Sequence, residues 1–313
     1  MSAINDQQSG IDRCGELRTH PETLEKLWAQ SKILHFTDGR ISSEGQSLRF
    51  LKANEVEALI ASGEFAEGEK YFLGKALKGS QSYFAWRSEP TKKEDDATIA
   101  KSFSSLRDIW SFLDPLETEI ALHTVALSNW HQTHSHCARC GAQTSSDLGG
   151  AVRVCAKDQS QHHPRTDSAA IVLVKDGEDR ILLGHQPVWP EGRFSCFAGF
   201  LEPGETFEQC VAREVYEESG VKINNISYLG SQPWPFPASI MIAFEADVVD
   251  AQSARPDGQE ITEVKWFTRA ELKAQAADGT LLLPAPMSVA YKMIERWFAQ
   301  GDSSPLVSSK TWR

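Results

Sequence analysis

GFLEPGETFEQCVAREVYEESGV, residues 199–221, is the stretch from which the rest of the chain can be placed. Phe207, Val211 and Val215 stand at i, i+4 and i+8, the spacing of one helix face that buries against a sheet. Glu214, Glu217 and Glu218, at i, i+3 and i+4, are read onto the opposite, acidic face. Like charges at that spacing cost an isolated helix roughly 0.2–0.5 kcal/mol per pair. A lone Glu-Glu pair is ordinarily a solvated surface, but a cation between the carboxylates removes the repulsion. Hard Mg²⁺ or Mn²⁺ suits that place, because these ions prefer carboxylate oxygen and bridge to phosphate oxygen. Gly220 falls where a left-handed C-terminal cap belongs, and Glu205 stands on the loop just ahead of the helix. Arg213 is suited to orienting a carboxylate through a forked, charge-assisted pair. Glu205, Arg213, Glu214, Glu217 and Glu218 are therefore the candidate catalytic set.

Working outward, the apolar run 169–174, a Lys175-Asp176-Gly177 turn and the run 181–183 predict two strands. Beyond the acidic helix, 240–246 and 263–267 are strand candidates. Residues 288–298 repeat Val289, Met293, Ile294 and Trp297 at helical spacing. Strands enclosed by helices predict an α+β sandwich. Between them, Ser231-Gln232-Pro233-Trp234-Pro235-Phe236-Pro237-Ala238-Ser239 cannot continue a central strand, because each proline lacks a ladder donor. It reads as a stiff extended loop or an edge, whose rigid aromatic surfaces suit a flat base. Before residue 130, short runs such as Tyr71-Phe72-Leu73 and Tyr83-Phe84-Ala85-Trp86 predict a mixed α/β, strand-containing domain. Asp114-Pro115 then opens a helix carrying Leu116, Ile120, Thr124, Leu127 and Trp130. The charged stretch 91–96 reads as a solvated loop.

Cys137-Ala-Arg-Cys140 is a CxxC knuckle, and Cys155 follows fifteen residues after Cys140, a spacing that suits structural zinc. Cys196 and Cys210 read as core residues, and His134 and His136 as solvent-facing or structural. The expected segments are thus 1–130, an N-terminal domain; 131–165, a zinc-ribbon-like motif; 166–300, the sandwich; and 301–313, a loose tail. With 41% hydrophobic and 24% charged residues among 313, the chain can bury cores for two or three domains. Its 32 basic against 43 acidic residues leave −11, which argues against a general nucleic-acid binder or an anionic-membrane partner. No run approaches the roughly 18 apolar residues of a membrane span, and the first residues do not read as a secretory signal, so a cytoplasmic protein is expected.

Residues 199–221 satisfy every fixed position of GX5EX7REUXEEXGU, where U is bulky and aliphatic, and so closely resemble the Nudix box. Residues 231–239 resemble the array SQPWPFPXS of the NADH pyrophosphatase branch of the Nudix hydrolases, which often has Gln where Ala238 stands. The resemblance covers roughly residues 130–300. It implies a Nudix α/β/α sandwich, divalent metal, hydrolysis of the pyrophosphate of NADH or NAD⁺ to nicotinamide mononucleotide and AMP, and a homodimer. The alternatives are decapping of NAD-capped RNA and a catalytically inactive zinc-ribbon/Nudix binding module. Carried over by position, Phe200 stacks on a base and the Ala198 carbonyl lies near the metals. Glu260 joins Glu214, Glu217 and Glu218 in holding Mg²⁺ or Mn²⁺. Gln232, Pro233, Trp234, Pro235, Phe236, Pro237, Ala238, Ser239, Ala290 and His163 contact substrate, and Arg107 is a weaker match. The family's ribbon has C-x2-C twice. Here Cys137, Cys140 and Cys155 are followed by Asp158 in the fourth place, with His162 or His163 as substitute ligands and loss of zinc as the alternative.

Overall fold

Alternation along one strand decides the layers of the C-terminal half. In the computed structural model, which describes residues 8–92 and 101–309, strand Asp167–Lys175 buries Ala170, Val172 and Val174 on one face and Ile171 and Leu173 on the other. The first group packs against Cys210, Val211 and Val215 of the helix Phe207–Ser219. The second packs against Leu272 and Ala276 of helix Arg269–Asp278 and against Met293, Ile294, Trp297 and Phe298 of helix Val289–Ala299. A strand covered on both faces has no polar side, which is why 169–174 is apolar without interruption. The expected α/β/α sandwich is present.

Its six-stranded sheet runs Ile223–Trp234, Ser239–Val248, Asp167–Lys175, Arg180–His185, Glu263–Thr268, with Phe197–Phe200 also paired to Asp167–Lys175. The central pair, Asp167–Lys175 with Ser239–Val248, is parallel, and the other pairs are antiparallel. Strand Ile223–Trp234 lies at the edge, where Pro233, opposite Ile240, costs no ladder bond on the outer side. The proline-aromatic segment therefore divides: edge strand to Trp234, a turn at 235–238, and the return strand from Ser239.

One expectation for this half is corrected. Residues 301–309 form no helix or strand, yet they are not a loose tail. Leu306 is buried, its carbonyl accepts from the Tyr291 hydroxyl at 3.2 Å, and Lys273 pairs with Asp302 at 3.1 Å. An apolar side chain and two anchored polar groups hold the segment down.

Residues 8–166, with 235–238, form a second unit. Its eight-stranded sheet is built around Glu69–Ala76, Ser82–Arg87 and Lys32–Thr37, with Phe72, Phe84 and Trp86 in a core shared with Leu24 and Trp28 of helix Pro21–Trp28. Helix Pro115–Thr133 starts where Asp114-Pro115 placed it, the Asp114 carboxylate accepting from Glu117 N at 2.8 Å. A three-stranded antiparallel ribbon follows: Thr144–Asp147, Val152–Cys155 and Gln161–His162. Arg153 is buried and bonds Thr144 Oγ1 at 2.7 Å, His131 Nδ1 at 2.7 Å and Glu69 Oε1 at 3.1 Å, so one guanidinium joins ribbon, helix and sheet. Of the charged stretch 91–96, Thr91 and Lys92 are exposed and the remainder lies outside the described residues.

Candidate active site and metal centre

The acidic helix is set by its ends. Thr206 Oγ1 accepts from Gln209 N, and the Gln209 side chain accepts from Thr206 N at 2.8 Å, a reciprocal cap. At the other end Gly220 adopts φ +69°, the left-handed cap that its position predicts. Along the helix, Glu217 is exposed and Glu214 half-buried, but Glu218 goes further in. It is three residues from Val215 and seven from Val211, so it turns into the buried face and is only 4% exposed. The expectation that all three glutamates share the face opposite Phe207, Val211 and Val215 is corrected at that residue.

Arg213 binds the other carboxylates. Its Nε and Nη2 grip both oxygens of Glu205 at 2.7 and 2.8 Å, and its Nη1 reaches Glu214 at 2.7 Å and Glu217 at 3.1 Å. Nη2 also donates to the carbonyl of Phe200 at 3.1 Å, tying the helix to strand Phe197–Phe200. The fork holds the Glu205 carboxyl down at about 2. Glu214 moves the other way, raised by burial and partly restored by Arg213. Gly199 has a steric reason to be glycine. A Cβ there would lie 1.9 Å from the Glu214 carboxyl carbon, so any side chain would displace that carboxylate.

Glu218 is pushed up to about 8, first by burial and then by the charges of Glu260 and Glu214, with the Ala198 backbone hydrogen-bonding against the rise. Among the described residues its Oε2 has no hydrogen-bond partner. A buried carboxylate oxygen facing further acids is costly unless a proton or a cation joins it. The donor set therefore fits a hard divalent metal. The glutamates do not close into a finished ligand cage: among the described residues, the set of His, Cys, Asp or Glu whose ligand atoms all fall within 4.8 Å is the ribbon's. Sequence reasoning missed Asp257, whose carboxylate accepts from Glu260 N at 3.1 Å and Ile261 N at 2.7 Å and so shapes the turn bearing Glu260. The Asp257-Gly258 dipeptide was the available signal.

The proposed substrate contacts separate by environment. Phe200 is 59% exposed, its backbone fixed by Arg213 and its ring open to solvent. Ala198, in the same strand, pairs with Ile171. Gln232 is buried, with Nε2 donating to Met287 O and Oε1 accepting from Val289 N, both at 2.7 Å. It anchors the start of the helix that carries the buried Ala290. Pro233 and Pro237 are exposed, Pro235 is buried, and Trp234, Phe236, Ala238 and Ser239 are half-buried. Phe236 packs under the Arg107 guanidinium, 4.4 Å from its ring centroid.

In the ribbon, one ligand atom from each of Cys137, Cys140, Cys155 and Asp158 falls in the 4.8 Å cluster, and Cys140 Sγ lies 3.5 Å from Cys155 Sγ. Two thiolates on one tetrahedral zinc stand about 3.8 Å apart, so this spacing suits the metal. Arg139 N donates to Cys137 Sγ and Lys157 N to Cys155 Sγ, both at 3.4 Å. His162 lies outside the cluster, 3.3 Å from Ser160 Oγ, and His163 is exposed. Cys196 and Cys210 are buried, as core residues should be, His136 is exposed, and His134 leans on Trp130.

With this geometry in hand, comparison with known proteins is specific. The NUDIX domain family matches residues 164–283. The chain is 38% identical over 302 residues to the NAD-capped RNA hydrolase NudC of Mycobacterium bovis (strain BCG / Pasteur 1173P2), covering 93% of each. It is 30% identical over 330 residues to the NAD-capped RNA hydrolase NUDT12 of Macaca fascicularis, covering 94% of this chain and 71% of that one. Among solved structures, a NUDIX hydrolase from Nitrosomonas europaea aligns with 55% of this chain and 96% of its own, at 21% identity and TM-score 0.44. No described helix is long and apolar enough to cross a membrane.

Proposed function

The chain belongs to the NudC-like branch of the Nudix hydrolases, and on that premise we propose that it hydrolyses the pyrophosphate of NADH and NAD⁺ to the nicotinamide mononucleotide and AMP. The observation that carries this reading is Glu218, a buried acid with one oxygen unpartnered, that feels the charges of Glu260 and of Glu214, the latter bonded by Arg213. Glu214, Glu217, Glu218 and Glu260 would hold Mg²⁺ or Mn²⁺. Such an ion supplies charge neutralisation of the pyrophosphate and makes a water more acidic at neutral pH. Arg213 fixes the Glu205 and Glu214 carboxylates, sparing reorganisation during the reaction. A glutamate of this set takes the proton of the attacking water, whose oxygen becomes bonded to one phosphorus as the bridging P–O bond breaks. Phe200 stacks on a base, and the segment 231–239 frames the other end of the dinucleotide.

NAD-capped RNA is the second reading, favoured by the names of the relatives above and opposed by the net −11. The inactive binding module is disfavoured by an acidic set that retains every charged position. Cys137, Cys140, Cys155 and Asp158 would hold one structural zinc, and a homodimer remains part of the proposal, to be checked by sedimentation. Turnover of NADH, NAD⁺ and NAD-capped RNA at matched concentration, with Mg²⁺ or Mn²⁺ and with chelator, tests the reading. Metal-dependent AMP release from NADH is expected, and no release from any of the three overturns it.

A further inference from the structure

Residues 235–238 close a hairpin whose flanking residues, Trp234 and Ser239, pair with each other. Two of the four are prolines and carry no N–H, so a turn of this composition is poor in donors for its own carbonyls. Two of those carbonyls are nevertheless bound. Asn129 Nδ2 donates to Pro235 O at 3.0 Å and to Pro237 O at 3.1 Å. Only the nitrogen end of a carboxamide offers two hydrogens, so this pair of acceptors dictates which way the amide faces. Phe236 lies between the two gripped carbonyls, with Arg107 over its ring at 4.4 Å and the Trp110 ring centroid at 6.4 Å. The turn is therefore held from helix Pro115–Thr133 and the short helical segments before it, through groups that the array's own sequence does not reveal.

We infer that Asn129 is a positioning residue for substrate binding: by holding the Pro235 and Pro237 carbonyls it fixes how the proline-aromatic turn is presented to the flat ring of a dinucleotide. The inference rests on the proposed function, because the turn matters to catalysis only if it meets substrate. Asn129 touches no reacting group, so its loss acts on KM and leaves the bond-breaking step alone. A residue serving folding alone would lower melting temperature and leave KM where it was.

The test is steady-state hydrolysis of NADH by the full chain and by two variants, with melting temperature measured alongside. Asn129→Ala deletes both hydrogen bonds and is expected to raise KM about tenfold, with kcat within about threefold of wild type. Asn129→Asp is nearly isosteric but turns an acceptor toward two carbonyls, so its KM should rise further. Should the aspartate variant not fold, the alanine variant, made at a half-exposed helix position, decides the matter. An active wild type with unmoved KM in the folded variants, or with the loss confined to kcat, overturns the inference and leaves the proposed function standing. A wild type that releases no AMP from NADH overturns both.

Discussion

Glu218 shows how burial and function share one residue. Its folded-state value of about 8 lies above the ordinary carboxyl value of 4.5, so the folded metal-free protein binds the proton more tightly than the unfolded chain does. The stability this contributes is complete below about 4.5 and is lost as pH rises through about 8. Glu218→Gln removes the titration while nearly preserving shape. In chelator at pH 8 the variant should therefore melt higher than wild type, with the gap closing near pH 5, while metal-supported turnover almost vanishes. A rate within threefold of wild type, with normal metal dependence, would remove Glu218 from the mechanism. Phe200 tests the opposite condition. At 59% exposure its ring carries little of the core, unlike Phe197 at 1% exposure three residues earlier. Base stacking on an aromatic is worth roughly 1–3 kcal/mol, so Phe200→Ala should lower kcat/KM for NADH by about ten- to a hundredfold with an unchanged denaturant midpoint. A core phenylalanine would instead cost about 3–5 kcal/mol of stability. A destabilised variant with normal turnover per folded molecule would therefore exclude Phe200 from the site.

Elements were legible where local pattern and tertiary environment agreed. The strand at 167–175, the capped helix at 115–133 and the glycine-capped acidic helix all follow from alternation, caps and spacing. Glu218 was misplaced because composition alone suggested an acidic face, whereas its helical phase with Val211 and Val215 puts it inside. The anchoring bonds of Gln232 were not legible, because its partners, Met287 O and Val289 N, lie more than fifty residues away. Asn129 gave no signal at all, since one asparagine in a helix is silent until the turn it holds is seen. The ribbon makes its own prediction at this scale. A small three-stranded element has little core, so a metal held there would supply much of its folding energy. Protein purified without chelator should contain about one zinc per chain, and Cys140→Ser should lose both the zinc and part of the thermal stability. Zinc-free native protein with an unchanged melting temperature in the variant would show that the ribbon stands without metal.

Over the whole molecule the quantity that discriminates between substrates is charge. The chain carries −11, and capped RNA differs from NADH chiefly by a long polyanion attached to the same dinucleotide. A protein that tracks RNA with lysines and arginines releases counterions, so its affinity falls steeply with salt, by about 0.7 log units per decade for each single-strand phosphate neutralised. A protein of net negative charge without such a track meets only repulsion, which salt screens. The ratio of kcat/KM for NAD-capped RNA to that for NADH should accordingly stay level or rise between about 50 and 200 mM monovalent salt, with metal held constant. Taking the ratio cancels any salt effect on metal binding or on the shared pyrophosphate, because both substrates present the same reacting group. A ratio that falls severalfold over that range would mean that basic residues converge locally against the global charge, and would make the RNA cap the substrate to which this site is fitted.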